Sequence, residues 1–166
     1  QAGGGPVASW TIVHAGTILP VPGQPPLAEQ SLVIEGDRID RIVAGYATAD
    51  SLGLGGGADI TVIDLREYLV LPGLMDMHVH LTGGGAPAGM PDEADDVYRL
   101  TTGIVNAGLT LRAGYTTVRN PGSAGWSIFA LRDGVDAGDL EGPRMFVAGH
   151  TIRSSASDGS GSCYSV

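Results

Sequence analysis

Lysine is absent from this 166-residue chain: all nine basic residues are arginine, set against 18 Asp and Glu. No lysine side chain is therefore available to a metal or catalytic centre built from these residues. The formal charge of −9 argues against a phosphate-backbone partner, which needs clustered Lys and Arg, so no nucleic-acid partner is expected. Cysteine is nearly absent too. The one thiol, Cys163, has no internal partner for a disulfide, so it does not fix a redox compartment and localisation stays open. No apolar run approaches the roughly 20 residues of a membrane helix, and a soluble chain without a membrane partner is expected. An initiating Met is missing as well, since the chain opens "QAGGGP" at Gln1. That start leads to the expectation that an upstream segment was removed, by cleavage of an export signal or by trimming for expression.

What is present is a globular composition. Hydrophobic residues make up 43% of the chain, enough for one ordinary domain with a core. "SWTIVHAGTILPV", "QSLVIEGDRIDRIVAG" and "ADITVIDL" are rich in β-branched residues and separated by Gly, Pro and polar turns. A small antiparallel β unit is expected over residues 8 to 65. Glu35-Gly36-Asp37 is a hairpin signal, although Ile39, Arg41 and Val43 alternate imperfectly. Tyr46 to Ala58, "YATADSLGLGGGA", reads as a surface loop.

Beyond Leu71 the pattern changes to alternating strands and helices. "VLPGLMDMHVHL" predicts a buried strand, "DEADDVYRLTTGIVNAGLTLRAG" an amphipathic helix, "YTTVRNPG" a strand, "GWSIFALRDGVDAGD" a helix and "RMFVAGH" a strand. Val97, Leu100, Ile104, Ala107 and Leu111 recur at helical spacing and predict one apolar face. Asp92, Glu93, Asp95 and Asp96 fall in the first turn, where the helix dipole favours negative charge. Gly114 and Gly138 stand where left-handed caps need glycine. This alternation implies parallel pairing with crossover helices, the start of a barrel or of an open α/β sheet. A complete eight-fold barrel takes roughly 250 residues, so the chain is expected to be the N-terminal part of a longer protein. The polar tail "TIRSSASDGSGSCYSV" is expected to be a loop.

His78 and His80 lie one residue apart, and the chain has only four histidines. In a strand, residues two apart share a side, so Asp76, His78 and His80 would face one way. Two imidazoles at the carboxyl end of a strand can both reach one metal ion at about 2.0 to 2.1 Å, with Asp76 placed to orient a neighbouring group. Ordinary histidines on a half-buried strand are the other reading of a bare His-x-His.

The Pro72-Gly73 entry, the Asp76-Met77-His78-Val79-His80 core and the strand Ala113-Gly114-Tyr115-Thr116-Thr117-Val118-Arg119 together resemble the amidohydrolase superfamily of metal-dependent hydrolases. "LRDGVDAGDLEGPRMFVAGH" is similar to the third unit of its prolidase-like branch, which cleaves dipeptides and N-acyl amino acids. The resemblance implies an α/β protein: a small β-sandwich domain over residues 1 to 68, then the first part of a (β/α)8 TIM barrel over residues 69 to 166. It also implies one or two divalent ions, commonly zinc, ligated by His78 and His80, with other ligands and a proton-shuttling aspartate beyond residue 166. Without lysine the chain cannot supply a bridging carbamate, and alone it should hold metal weakly and catalyse nothing.

Two departures from the resemblance bear on function. Arg119-Asn120 stands where many relatives have Arg-Asp, and "SSASDGSG" replaces a "GGHG"-type loop, so a substrate-contacting histidine is either lost or replaced by His150. Arg119 is a second candidate substrate contact through its planar fork, with an ion pair as the alternative. A structural, hydrogen-bonded role is the other reading for His150, and it is the reading for His14. The expected partners are a small amide or peptide substrate and the remainder of the polypeptide; homo-oligomers are common among such barrels, but nothing here specifies an interface. The competing activities are a cyclic-amide hydrolase or heterocycle deaminase of the same superfamily and, from another class, a non-catalytic β-rich binding or assembly module.

Overall fold

A computed structural model describes residues 9–54, 57–153 and 164–165. The chain divides into two compact units, residues 1–72 and 73–166. The first unit holds β1 (Ser9–Ile18), β2 (Leu27–Glu35), β3 (Arg38–Ala44) and β4 (Asp59–Val70), in one sheet of order β3-β2-β1-β4. β1, β2 and β3 pair antiparallel as expected, but β4 runs parallel to β1. That corrects the all-antiparallel expectation. Parallel neighbours need a crossover connection, and the long segment from Gly45 to Ala58 supplies it. Gly36 adopts φ 57° in the two-residue turn between β2 and β3. The imperfect alternation of β3 has a cause: Val33 pairs with Arg41 and Ile34 with Ile39, so Asp40 is the extra residue of a bulge. Ile12, Ala15, Ile18 and Val33 are buried on this sheet.

A larger irregularity lies opposite Gly16. Ala15 pairs with Leu65 but Thr17 with Leu69, so Arg66, Glu67 and Tyr68 bulge out against a single residue of β1. Arg66 folds back on Asp64 at 2.6 Å, and its hydrogen bonds hold the Asp64 carboxyl down to about 2.

The second unit alternates as the pattern predicts: β5 (Leu74–Asp76), α1 (Asp92–Arg112), β6 (Tyr115–Asn120), α2 (Ser127–Asp136) and β7 (Arg144–Val147). The sheet order is β5-β6-β7 and both pairings are parallel. Gly114 and Gly138 follow the two helices with φ 95° and 80°, the left-handed geometry their positions require. α1 and α2 cover one sheet face, where Ala107, Val118, Ile128, Leu131 and Met145 form the buried core. Leu100 and Ile104 pack against it, whereas Val97, predicted on the same face one turn earlier, is 66% exposed. The other sheet face carries the paired residues Met75 and Thr117, and Arg119 and Phe146, with Met75 and Phe146 more than half exposed.

"VLPGLMDMHVHL" is not one buried strand. β4 takes Val70, Pro72 and Gly73 lie in the break that follows, and β5 is three residues long. Pro72 has no N–H for a ladder. β5 is an edge among the described residues, so Leu74 and Met75 stay exposed. Gly73 is required by space, because a Cβ there would sit 2.1 Å from Thr116 Oγ1. Short strands Ile152–Arg153 and Tyr164–Ser165, β8 and β9, pair in parallel where a plain loop was expected. Cys163 and the segment 154–161 lie outside the described residues, as do the side chains of Asp92 and Glu93.

Candidate metal centre

β5 ends at Asp76, so His78 and His80 do not share a strand face with it; they sit in the irregular segment that follows. The two imidazoles nevertheless converge, with ring centroids 5.3 Å apart and planes at 73°. What brings them together is the end of β6. Arg119 Nε donates to Met77 O at 2.7 Å, Val79 N–H donates to Arg119 O at 3.0 Å, and Leu81 N–H donates to the side-chain Oδ1 of Asn120 at 3.0 Å. Asn106 of α1 adds a bond to Leu81 O at 2.8 Å. The parallel ladder is thus continued partly by side chains, which orient the His-x-His segment without a regular strand.

Asp76 acts more locally than the expectation that it would orient a neighbouring group through its side chain on a shared face. Its Oδ1 accepts the backbone N–H of His78 at 2.9 Å. His80 Nδ1 lies 2.7 Å from Gly122 O. A carbonyl only accepts, so Nδ1 carries a proton, and in the neutral ring Nε2 is then the nitrogen with the lone pair. That is the arrangement by which a metal-ligating histidine is commonly held. Among the described residues no group of three or more His, Cys, Asp or Glu converges.

The remaining predicted contacts lie nearby. Arg119 borders a cavity of about 260 Å³ with Pro121, Phe146, Val147 and Ala148. It anchors a backbone carbonyl rather than a buried ion pair. His150 meets the Trp126 ring edge-on at 5.5 Å, and its backbone bridges to Ser123. His14, in the first unit, bonds Ala47 O at 2.9 Å. Sequence reasoning missed Asn120, Ser123 and Thr82 as members of the site. Asn120 is fully buried, and Thr82 Oγ1 bonds Ser123 Oγ at 3.2 Å. The available signal was a polar residue closing strand β6 on the side that alternation assigns to the core.

Acidic residues of α1 do more than complement its dipole. Asp96 accepts the Trp126 N–H at the start of α2, 3.2 Å from each carboxylate oxygen. Asp95 accepts the Ala86 N–H at 2.9 Å and the Arg99 Nε–H at 2.6 Å, while Arg99 also bonds Gly84 O. The loop after His80 is thereby tied to α1. The Ala86 N–H first, and the Arg99 guanidinium second, hold the Asp95 carboxyl below the usual carboxylate range. Its folded-state value is depressed, so this stabilisation is present above the unfolded value of about 3.9 and is lost as pH falls through the folded value. The stability gap between wild type and Asp95→Asn is expected to be constant at neutral pH and to close below about pH 4. Urea unfolding across that range checks it; a gap that widens in acid overturns the assignment.

No family model and no curated protein matches the chain. Solved structures do. A Xaa-Pro dipeptidase with methionine bound in its active site is 35% identical, with a TM-score of 0.72, over 86% of this chain and 34% of that one. A prolidase complexed with N-methylphosphonate-L-proline is 26% identical, with a TM-score of 0.66, over 86% of this chain and 32% of that one. Molinate hydrolase is 26% identical, with a TM-score of 0.69, over 88% and 31%. The chain spans about a third of the length of each. No described helix is long and apolar enough to cross a membrane.

Proposed function

We propose, for a chain whose structural relatives are prolidases and amidohydrolases and which resembles a prolidase-like N-terminal portion of that superfamily, that it belongs to a metal-dependent hydrolase of amide bonds. The substrates are read as dipeptides or N-acyl amino acids, and zinc, as one or two ions, as the metal. The observation that carries this is the pair His78 and His80, convergent at 5.3 Å, with His80 Nδ1 held by a carbonyl. That donor chemistry fits a borderline divalent ion through Nε2. When bound, such an ion supplies carbonyl polarisation and activation of water. The other ligands and the proton-shuttling aspartate are assigned to the rest of the polypeptide.

On this reading the three-stranded sheet is the start of a TIM barrel and the four-stranded sheet is part of a small β-sandwich. The sheet face bearing Met75, Arg119 and Phe146 would then be the barrel interior, and the histidines would sit at the carboxyl ends of its strands. Arg119 borders the cavity there and is the candidate partner for a substrate carboxylate; His150 is the second candidate contact.

The test is chelator dialysis of the purified full-length protein, with zinc restored, against a panel of Xaa-Pro dipeptides, N-acyl amino acids and cyclic amides. Dialysis is expected to abolish hydrolysis and zinc to restore it, with the acyclic substrates preferred. Preference for cyclic amides moves the reading to the ring-opening branch. Activity that survives complete metal removal overturns it.

A further inference from the structure

We infer that Asn120 is the positioning residue of this centre, fixing the tautomer and ring orientation of His80; the inference rests on the metal-centre reading above. Asn120 is fully buried at the end of β6 and uses both ends of its amide. Oδ1 accepts the Leu81 N–H at 3.0 Å, immediately after His80. Nδ2 donates to Gly122 O at 3.0 Å and to Ser123 Oγ at 2.8 Å. The same Gly122 oxygen receives the His80 Nδ1 proton at 2.7 Å. One planar group therefore holds the backbone that carries the imidazole and the carbonyl that selects its tautomer. A carbonyl has two lone pairs, so Gly122 O serves both donors without competition.

The amide supplies both an acceptor and a donor at this position. Aspartate would accept from Leu81 but has no donor for Gly122 O, and its charge would face a carbonyl oxygen. Alanine would leave the Leu81 N–H buried without its acceptor and Gly122 O supported only by the imidazole. The ring would then sample both neutral tautomers, and the one protonated at Nε2 cannot offer that nitrogen to a metal.

The test is nitrogen-15 NMR of histidine-labelled full-length protein, metal-free and at alkaline pH, together with zinc affinity measured by competition with an indicator. Wild type is expected to show His80 protonated on Nδ1. Asn120→Ala is expected to mix the tautomers and to weaken zinc binding by about 10- to 100-fold under conditions where it remains folded, with the His14 signals unmoved. Asn120→Asp, which keeps the Leu81 bond, is read by tautomer alone and is expected to mix them as well. The inference is overturned by wild-type His80 protonated on Nε2, or by an alanine variant that loses only melting temperature. Should the alanine variant not fold, the wild-type tautomer and the aspartate variant decide the question. A wild type that binds no zinc sinks the metal-centre reading, while the tautomer measurements still decide the role of Asn120.

Discussion

Replacing His80 with alanine is expected to strip bound metal from the purified full-length protein and to lower hydrolysis of its amide substrate at least about a thousandfold, on the order of 4 kcal/mol in the barrier. His78→Ala is expected to do the same. The size follows from the role: each imidazole contributes one of the few bonds that keep the ion in place, and water is a poor nucleophile without it. Both side chains are exposed, so the fold should not change with them. The thermal midpoint of the metal-free protein is expected to stay within a degree or two of wild type, since exposed substitutions away from caps and cores cost about 0.5 kcal/mol or less. His150→Ala serves as the control, because that ring packs on Trp126 and is not assigned as a ligand. It is expected to keep its metal. Elemental analysis of the three variants beside wild type is the deciding measurement. A His80→Ala protein with a full complement of zinc removes the paired imidazoles from the mechanism.

Gly16→Ala is expected to have the largest effect on stability, a loss of about 3 kcal/mol in the unfolding of the first unit. A Cβ at Gly16 would lie 2.0 Å from Arg66 O and 2.8 Å from Arg66 C. These are backbone atoms of the bulge in β4, so no rotamer change relieves the clash. Relief requires shifting β4, and β4 pairs with β1 on both sides of the bulge. By contrast, the atoms nearest a Cβ at Gly73 are Thr116 Oγ1 and Cγ2 at 2.1 and 2.3 Å and Thr116 Cβ at 2.7 Å. Rotation moves only the first two, but Gly73 lies in the break before the three-residue β5 and can shift without pulling on a long paired ladder. Gly73→Ala is accordingly the milder change. Urea unfolding of both variants checks the order, with an unchanged slope showing that the denatured state is the same. Equal losses would mean that the bulge yields as readily as the break before β5.

The elements that were legible in the sequence are those where local pattern and tertiary demand agree. α1 is a long amphipathic stretch opened by acidic residues and closed by Gly114, and its extent follows from those signals. β6, α2 and β7 alternate as a βαβ pattern must, and their parallel pairing follows from the helices between them. The errors have a different origin. Val97 is apolar and correctly spaced, yet it sits one turn beyond the buried stretch of α1 and stays exposed. Strand β4 looks like any β-branched run, and nothing local distinguishes a parallel partner from an antiparallel one. "VLPGLMDMHVHL" has the composition of a buried strand, but Pro72 breaks it, only Leu74–Asp76 form a strand, and the histidines fall in the irregular segment that follows.

The sequence by itself determined the mixed α/β character, the alternation of the second unit and the chemistry of the candidate centre. Two imidazoles one residue apart narrow the ligand chemistry whatever the backbone does, because donor type is a property of the side chain. Only the tertiary structure decided how those imidazoles are held. Asp76 proved a local backbone acceptor, Arg119 an anchor for Met77, and Asn120 a buried bridge between Leu81 and Gly122. Each of these roles depends on which backbone groups the end of β6 leaves unpaired beside β5. That is fixed by strand register and by the point where the regular ladder stops, and both are set by packing across the sheet rather than by any residue's neighbours in sequence.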